Sequence, residues 1–340
     1  MEFSWTEEQR QGYEQARQFA QRELALPHAE GGGNGAEASG DRSGGREDME
    51  PWRARWRQCA GFGVQALNIP TRFGGLGLET RSAVHVLEGL GFGCADNGLL
   101  MALGAQIWSV TPPLLNFGTE EQKRLWLPGF ADGSCVAAFA LTEPESGSDV
   151  FHLRLRGEPD GGGFRLHGNK AFITNAPVAD LFLVFAATEA NGGYFGLTAF
   201  LLQRGQEGVE VGPPLRKMGL ETSPMAELRL DGAWVGPQAM LGEVGGGGAV
   251  VLHTLEWERG CLLAPALGTL DRLLQATTAY ARARKQFGRP IIEFEAVGQK
   301  LAEMRLRLEL SRLLVYQFAW LKDQGRSAGV EACMTKLYVS

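Results

Sequence analysis

The chain is poor in anything that would cross-link it or bind metal. Its five cysteines, Cys59, Cys94, Cys135, Cys261 and Cys333, are odd in number and scattered, with no Cys-x-x-Cys pair. That argues against a disulfide framework or a zinc site, and the thiols read as reduced, mostly packed side chains. The five histidines, His28, His85, His152, His167 and His253, also lack metal-ligand spacing, so no metal is expected. Clustered positive charge is missing too: 33 basic against 39 acidic side chains leave a formal net charge of −6 and a pI near 5.6. Proteins that neutralise nucleic-acid phosphates need the opposite balance, so nucleic acid is not an expected partner. The longest apolar run, Leu181 to Ala187, falls far short of the roughly 20 residues that cross a bilayer. The polar, acidic segment Met1 to Arg10 has the character of neither a secretory signal nor a transit peptide. A cytoplasmic protein without a membrane partner is expected. Gly245 to Gly248 is not a phosphate loop, because no Lys-Ser or Lys-Thr follows it. It lets the chain turn into the next helix.

What is present is enough for two or three domains: 340 residues, of which 44% are hydrophobic. Helical spacing runs from Thr6 to about Leu26, with Thr6 placed to cap and Glu7 and Glu8 at the positive end of the helix dipole. The glycine-rich stretch from Gly31 breaks it and reads as a flexible loop over 31–48. Helical spacing returns from Trp52 to about Gly133, interrupted at Pro70, at Phe73 to Gly77 and at Thr111 to Pro113. From Cys135 to about Leu230 short β-like runs alternate with turn signals: Val136 to Leu141, Phe164 to His167, Leu181 to Ala187, Leu197 to Leu202 and Glu227 to Leu230. Beyond Gly248 the spacing predicts two long helices, Ala249 to Arg284 and Phe294 to Asp323, and a third from near Ala328. The expected fold is α+β, with an N-terminal helical domain (1–133), a middle β-barrel-like domain (134–240) and a C-terminal helical bundle (241–340).

Four segments in order carry more specific information. Arg72-Phe-Gly-Gly-Leu-Gly77 comes first, then Gly118-Thr-Glu-Glu-Gln-Lys123. The third is Phe139-Ala-Leu-Thr-Glu-Pro-Glu-Ser-Gly-Ser-Asp149, joined by Lys170-Ala-Phe-Ile-Thr-Asn175; the fourth is Arg284-Lys-Gln-Phe-Gly288. Two short apolar stretches that end in hydroxyl residues, one running into a Gly-Ser turn, suit a flat, partly polar ligand lying against strand ends. Together these segments resemble the acyl-CoA dehydrogenase family, whose order of domains is also helical, β-barrel, helical.

The resemblance implies FAD as cofactor and α,β-dehydrogenation of an acyl thioester on coenzyme A or a carrier protein. By resemblance, Phe139, Leu141 and Thr142 line one side of the flavin, Gly147 and Ser148 lie near its phosphates, and Phe172, Ile173 and Thr174 complete the bed. Arg284, Gln286 and Phe287 match residues that family enzymes place on the FAD of a neighbouring subunit, which implies a homo-oligomer, a dimer or tetramer. An ordinary β-domain core and a solvated helix end are the plain alternatives for these two groups. An electron-transfer flavoprotein is the expected electron acceptor.

Such chemistry needs a base for the α-proton, and a carboxylate in apolar surroundings is suited to it because desolvation raises its pKa. Stepping by three or four residues, Val251, Leu255, Glu258, Leu262 and Ala266 share one helical stripe in which Glu258 is the only charge. Glu256 lies about 200° further round the helix, at 100° per residue. Leu255-Glu-Trp-Glu258-Arg259 matches the helix-borne glutamate of the isovaleryl-CoA dehydrogenase-like branch, so Glu258 is the candidate base. Its alternative is a buried glutamate paired with a neighbouring cation. Most other branches carry the base in a later loop reading roughly Tyr-Glu-Gly-Thr, which this chain does not contain. The resemblance implies a further segment beyond Ser340, and a non-catalytic binding or assembly paralogue is the second reading.

Overall fold

The computed structural model describes residues 4–24, 49–189 and 192–340; the stretch 31–48, expected to be a flexible loop, lies outside them. The helices are α1 (Glu7–Glu23), α2 (Glu50–Phe62), α3 (Thr80–Gly93), α4 (Asn97–Ser109), α5 (Thr111–Phe117), α6 (Glu120–Ala131), α7 (Gly247–Cys261), α8 (Ala264–Ala283), α9 (Glu295–Asp323) and α10 (Gly329–Val339). The strands are β1 (Ala137–Ala140), β2 (Arg156–Asp160), β3 (Gly163–Thr174), β4 (Leu181–Ala187), β5 (Leu197–Gln203), β6 (Val209–Val211), β7 (Met225–Val235), β8 (Met240–Leu241), β9 (Lys285–Gln286) and β10 (Arg289–Pro290). The chain forms two compact units. One comprises Met1–Leu26, Glu79–Asn97 and Arg259–Ser340; the other comprises Pro27–Leu78 and Gly98–Glu258.

The first unit is helical. α1 starts as its sequence dictates: the Thr6 hydroxyl accepts from the Gln9 amide at 3.2 Å and the Gln9 side chain accepts from the Thr6 amide at 3.0 Å. This reciprocal pair satisfies two amides that the first turn would leave without partners. α3 is the spine of the unit, and its glycines let neighbouring backbones come close. A Cβ on Gly89 would lie 2.3 Å from the Tyr13 carbonyl oxygen, and one on Gly91 would lie 1.9 Å from that of Pro265. Gly268 on α8 repeats the device, 1.9 Å from the carbonyl oxygen of Glu88. At its start α3 is capped from a distance, with the Asp323 carboxylate accepting from the amides of Thr80 (2.6 Å) and Arg81 (3.0 Å).

The interior of this unit also holds charge. Glu88 is buried and accepts from Arg312 Nε at 2.8 Å, while Arg312 reaches Asp271 at 2.5 Å. Tyr316 donates its hydroxyl proton to Glu88 and lies 2.9 Å from His85 Nδ1. The His85 ring is stacked against Trp5 at 3.9 Å and against Tyr13 at 4.8 Å. Burial, with help from the Arg312 and Arg81 cations, pulls the His85 pKa down to about 4.

One long helix over 249–284 was expected, and two are found. α7 ends at Cys261, and α8 begins afresh with Pro265 in its first turn, where a missing amide costs nothing. The expected stripe through Leu262 and Ala266 therefore does not continue along one helix. Pro112 and Pro113 act in the same way at the start of α5.

The second unit is built on an eight-stranded sheet of order β6-β7-β3-β2-β4-β5-β8, with β1 added in parallel to β4. Three of its strands, β2, β6 and the two-residue β8, are too short or too polar to show as β-like runs and lie outside those expected. β4 is buried on both faces, which explains its unbroken apolar sequence. Leu181, Leu183 and Phe185 join a cluster that includes Leu114 of α5, Leu127 and Phe130 of α6 and Val251 of α7; Phe182, Val184 and Ala186 face an inner cluster. Phe164 of β3 and Phe200 of β5 meet in that inner cluster with ring centroids 5.6 Å apart. Three strand spacings of about 4.8 Å would hold them much further apart in a flat sheet, so the sheet is strongly curled. The stretch Asn97–Phe117 is long and apolar enough to cross a membrane by length and composition, although polar residues interrupt it and no long unbroken apolar run marks it. Within it 83% of an 18-residue apolar window is buried, as in a core helix pair. All five cysteines are free, and Cys59, Cys94 and Cys261 are buried.

Candidate active site

Strand β1 delivers Phe139, Leu141 and Thr142, and β3 delivers Phe172, Ile173 and Thr174, to one region of the second unit. The Ala171 amide donates to the Thr142 carbonyl at 2.9 Å, which ties the two segments edge to edge. Leu141 is buried, and Phe139, partly buried, packs edge-on against Phe185 with ring centroids 5.5 Å apart. The β3–β7 register slips between Lys170 and Ile173, a bulge that carries Phe172 with φ 57° and leaves its side chain 64% exposed. Positive φ on a bulky residue is costly, and a bulge that aims an aromatic ring outward is a common way to place one for a ligand. Ile173 turns the other way, into the inner cluster, so it can offer a ligand only its backbone. Thr142 and Thr174 are half-buried, and among the described residues neither hydroxyl has a hydrogen-bond partner.

After Thr142 the chain makes a tight turn, Glu143 and Ser146 exchanging backbone hydrogen bonds at 2.9 and 3.2 Å. Gly147 and Ser148 follow, exposed, with open space where a Gly147 Cβ would stand. A flat aromatic system with polar edges and a phosphate tail fits this donor set: a presented ring, two uncommitted hydroxyls and an open Gly-Ser backbone.

Glu258 lies on α7 and is half-buried; Ser109, buried at the end of α4, donates from Oγ to Glu258 Oε2 at 3.4 Å. The residues beside these two stack as well, Trp108 on Trp257 with centroids 5.9 Å apart and planes at 7°. Nothing in the local sequence around Ser109 points to α7, 149 positions away at Glu258. A cavity of about 660 Å³ in this unit is lined by Gln122, Trp126, Trp234 and Gln238 among others. None of the candidate residues lines it.

Arg284, Gln286 and Phe287 belong to the first unit. α8 stops at Ala283, and a two-residue hairpin follows in which Phe287 (φ 52°) and Gly288 (φ 80°) both take positive φ, the pattern of a type I′ turn. Phe287 is 93% exposed, and Arg284 and Gln286 are exposed beside it in sequence.

A curled sheet with helices packed on its outer cluster, two hydroxyl-bearing segments with a presented ring and a helix-borne carboxylate in the same unit suit a flavin-dependent dehydrogenase. The family models agree. Acyl-CoA dehydrogenase N-terminal, middle and C-terminal domains match residues 6–134, 138–233 and 245–340. The chain is 39% identical over 298 residues to L-prolyl-[peptidyl-carrier protein] dehydrogenase of Pseudomonas fluorescens, covering 87% of this chain and 78% of that one. It is 38% identical over 285 residues to the protein of that name from Serratia sp., with 84% and 74% covered. Among solved structures, the prolyl acyl carrier protein oxidase AnaB superposes with TM-score 0.90 at 40% identity, over 99% of this chain and 85% of that one. Butyryl-CoA dehydrogenase from Megasphaera elsdenii gives TM-score 0.87 at 29% identity, over 100% and 85%. The chain belongs to the acyl-CoA dehydrogenase family. It is a FAD-dependent oxidoreductase acting on the CH–CH groups of acyl thioesters.

Proposed function

We propose that this enzyme dehydrogenates an aminoacyl thioester, of prolyl type, carried on a carrier protein, with Glu258 as the base. The observation that carries the assignment of the base is the placement of Glu258 on α7, half-buried and hydrogen-bonded by Ser109. It shares its unit with the two uncommitted threonine hydroxyls. The substrate class rests on the two relatives and the solved oxidase, whose names specify a prolyl group on a carrier protein. Bound FAD supplies the acceptor for the hydride leaving the β-carbon. Glu258 takes the α-proton, and its partly desolvated position keeps the carboxylate from being fully stabilised by water. Ser109 holds the carboxylate in one orientation, which confines the proton to a defined oxygen.

Phe172 offers a ring face to the flavin, and Phe139 and Leu141 close the apolar side. Thr142, Thr174 and the backbone of Ile173 offer hydrogen bonds to its polar edge, with Gly147 and Ser148 toward the phosphates. Arg284, Gln286 and Phe287 reach the FAD of a neighbouring subunit in a homo-oligomer; the strained, exposed Phe287 supports a role in contact with another molecule. An electron-transfer flavoprotein takes the electrons, and the enzyme works in the cytoplasm. Domain boundaries near 133 and 240 accompany this reading.

The test is the visible spectrum of the purified protein, followed by anaerobic addition of a prolyl-carrier protein and, separately, of acyl-CoA thioesters. Flavin bands bleached by the carrier-bound substrate alone support the proposal. Bleaching by acyl-CoA alone refutes the carrier assignment, and a protein that cannot take up FAD refutes the whole.

A further inference from the structure

Behind the flavin segments lies a charged pair to which neither the motif comparison nor the reaction assigns a task. Glu143 is 3% exposed and Lys170 is not exposed at all. Glu143 Oε1 accepts from Lys170 Nζ at 2.8 Å and from the Leu155 amide at 3.0 Å; Oε2 accepts from the Arg154 amide at 2.5 Å. Lys170 Nζ donates a second hydrogen bond, to the Leu141 carbonyl at 3.0 Å. Desolvation draws the lysine pKa down to about 8 against the pull of Glu143.

We propose that Glu143 and Lys170 are positioning residues that lock the Leu141–Thr142 segment against the bulge bearing Phe172 and Thr174, and so set the spacing of the flavin bed. The inference rests on the flavin reading given above. Its geometry is specific. Lys170 is the last residue before the slip in β3–β7 register, and Glu143 is the first after Thr142, so the pair spans the two segments at the point where each leaves regular pairing. The backbone bond from Ala171 to Thr142 continues the same seam by one residue. Stability alone does not call for ions here, because a buried pair replaced by apolar groups of equal volume is often as stable. What an apolar pair could not do is accept from the amides of residues 154 and 155 while donating to the carbonyl of residue 141.

Two variants separate positioning from folding. In Glu143→Gln with Lys170→Met, no lone charge is left buried; in Glu143→Asp, the charge stays and the carboxylate withdraws by one methylene. For each, the thermal midpoint of the apoprotein, the FAD dissociation constant and the visible circular dichroism of bound flavin are measured. The expected result is an apoprotein that still folds, with a midpoint lowered by the buried amide and carbonyl left without partners, FAD binding weaker by about tenfold or more under conditions where the apoprotein is fully folded, and an altered flavin dichroism. Wild-type affinity and dichroism in a folded double variant would overturn the proposal. If the double variant does not fold, Glu143→Asp decides by the same two readouts. A wild-type protein that takes up no FAD overturns the flavin reading and this inference with it, whereas wild-type uptake with unchanged variants overturns the inference alone.

Discussion

His85 makes the helical unit sensitive to acid, and the effect can be worked out in advance. The folded ring is held between Trp5 and Tyr13, faces the Arg81 and Arg312 cations, and touches Tyr316, which in turn donates to Glu88. Since Tyr316 spends its proton on Glu88, Nδ1 of His85 must donate to the Tyr316 oxygen, and Nε2 is left as the site of protonation. The folded histidine binds that proton only near pH 4, against 6.5 for the free side chain. Between these values the unfolded chain holds more protons than the folded one, so stability falls as pH is lowered through the window. The full gap corresponds to about 3 kcal/mol, of which about 2 kcal/mol is already lost at pH 5.

The perturbation is His85→Phe, which keeps a ring in the stack but cannot titrate. It removes one hydrogen bond to Tyr316, at about 1 kcal/mol, so at pH 7.5 the variant is the less stable protein. Lowering the pH erodes only the wild type through this group, and the two stability curves cross near pH 6, by about 1 kcal/mol of loss in the wild type. Urea unfolding of both proteins at pH 7.5, 6.5, 5.5 and 5.0 is the assay. Carboxylates that titrate elsewhere contribute equally to both and cancel in the difference. Parallel curves over the whole range would refute the reasoning, because they would mean that the folded ring takes up its proton as readily as the unfolded one.

Replacing Glu258 by Gln keeps the shape and the Ser109 contact but removes the proposed base, so turnover should fall by at least about a hundredfold with FAD affinity unchanged; loss of the flavin instead would mark Glu258 as structural. Gly91→Ala sets a methyl 1.9 Å from the Pro265 carbonyl oxygen and should destabilise the helical unit by about 2 kcal/mol or more in urea. An unchanged midpoint would mean that α3 and α8 do not cross as closely as described. Phe287→Asn puts a residue that tolerates positive φ into the hairpin and should stabilise the isolated fold by about 0.5–1 kcal/mol, yet weaken self-association in sedimentation. Sedimentation unchanged from wild type would remove Phe287 from the proposed subunit contact.

Legibility followed the range of the interaction. The cap at Thr6, the double-proline start of α5 and the two-sided burial of β4 are local or periodic effects, and each could be read from a few adjacent residues. The break between α7 and α8 was also written locally, in Pro265, but the apolar stripe through Leu262 and Ala266 suggested continuity and outweighed it. β2 escaped for the opposite reason: Arg156–Asp160 has no apolar run because only one residue of the strand, Gly157, is buried, and pairing to β3 rather than burial makes it a strand. At the candidate site, the aromatic and hydroxyl residues stood out through their motif, whereas Ser109 did not, since 149 positions separate it from Glu258. Glu143 and Lys170 sit inside the very segments that carried the motif and were still passed over. A glutamate before proline and a lysine after asparagine look like solvated turn residues until the fold removes water from both at once. Burial of a charge is paid for by partners, and those partners, the amides of 154 and 155 and the carbonyl of 141, are backbone groups that no side-chain pattern records. Residues that position a site through the main chain are therefore the part of a function that a single sequence hides most completely, and the variants at 143 and 170 probe that part directly.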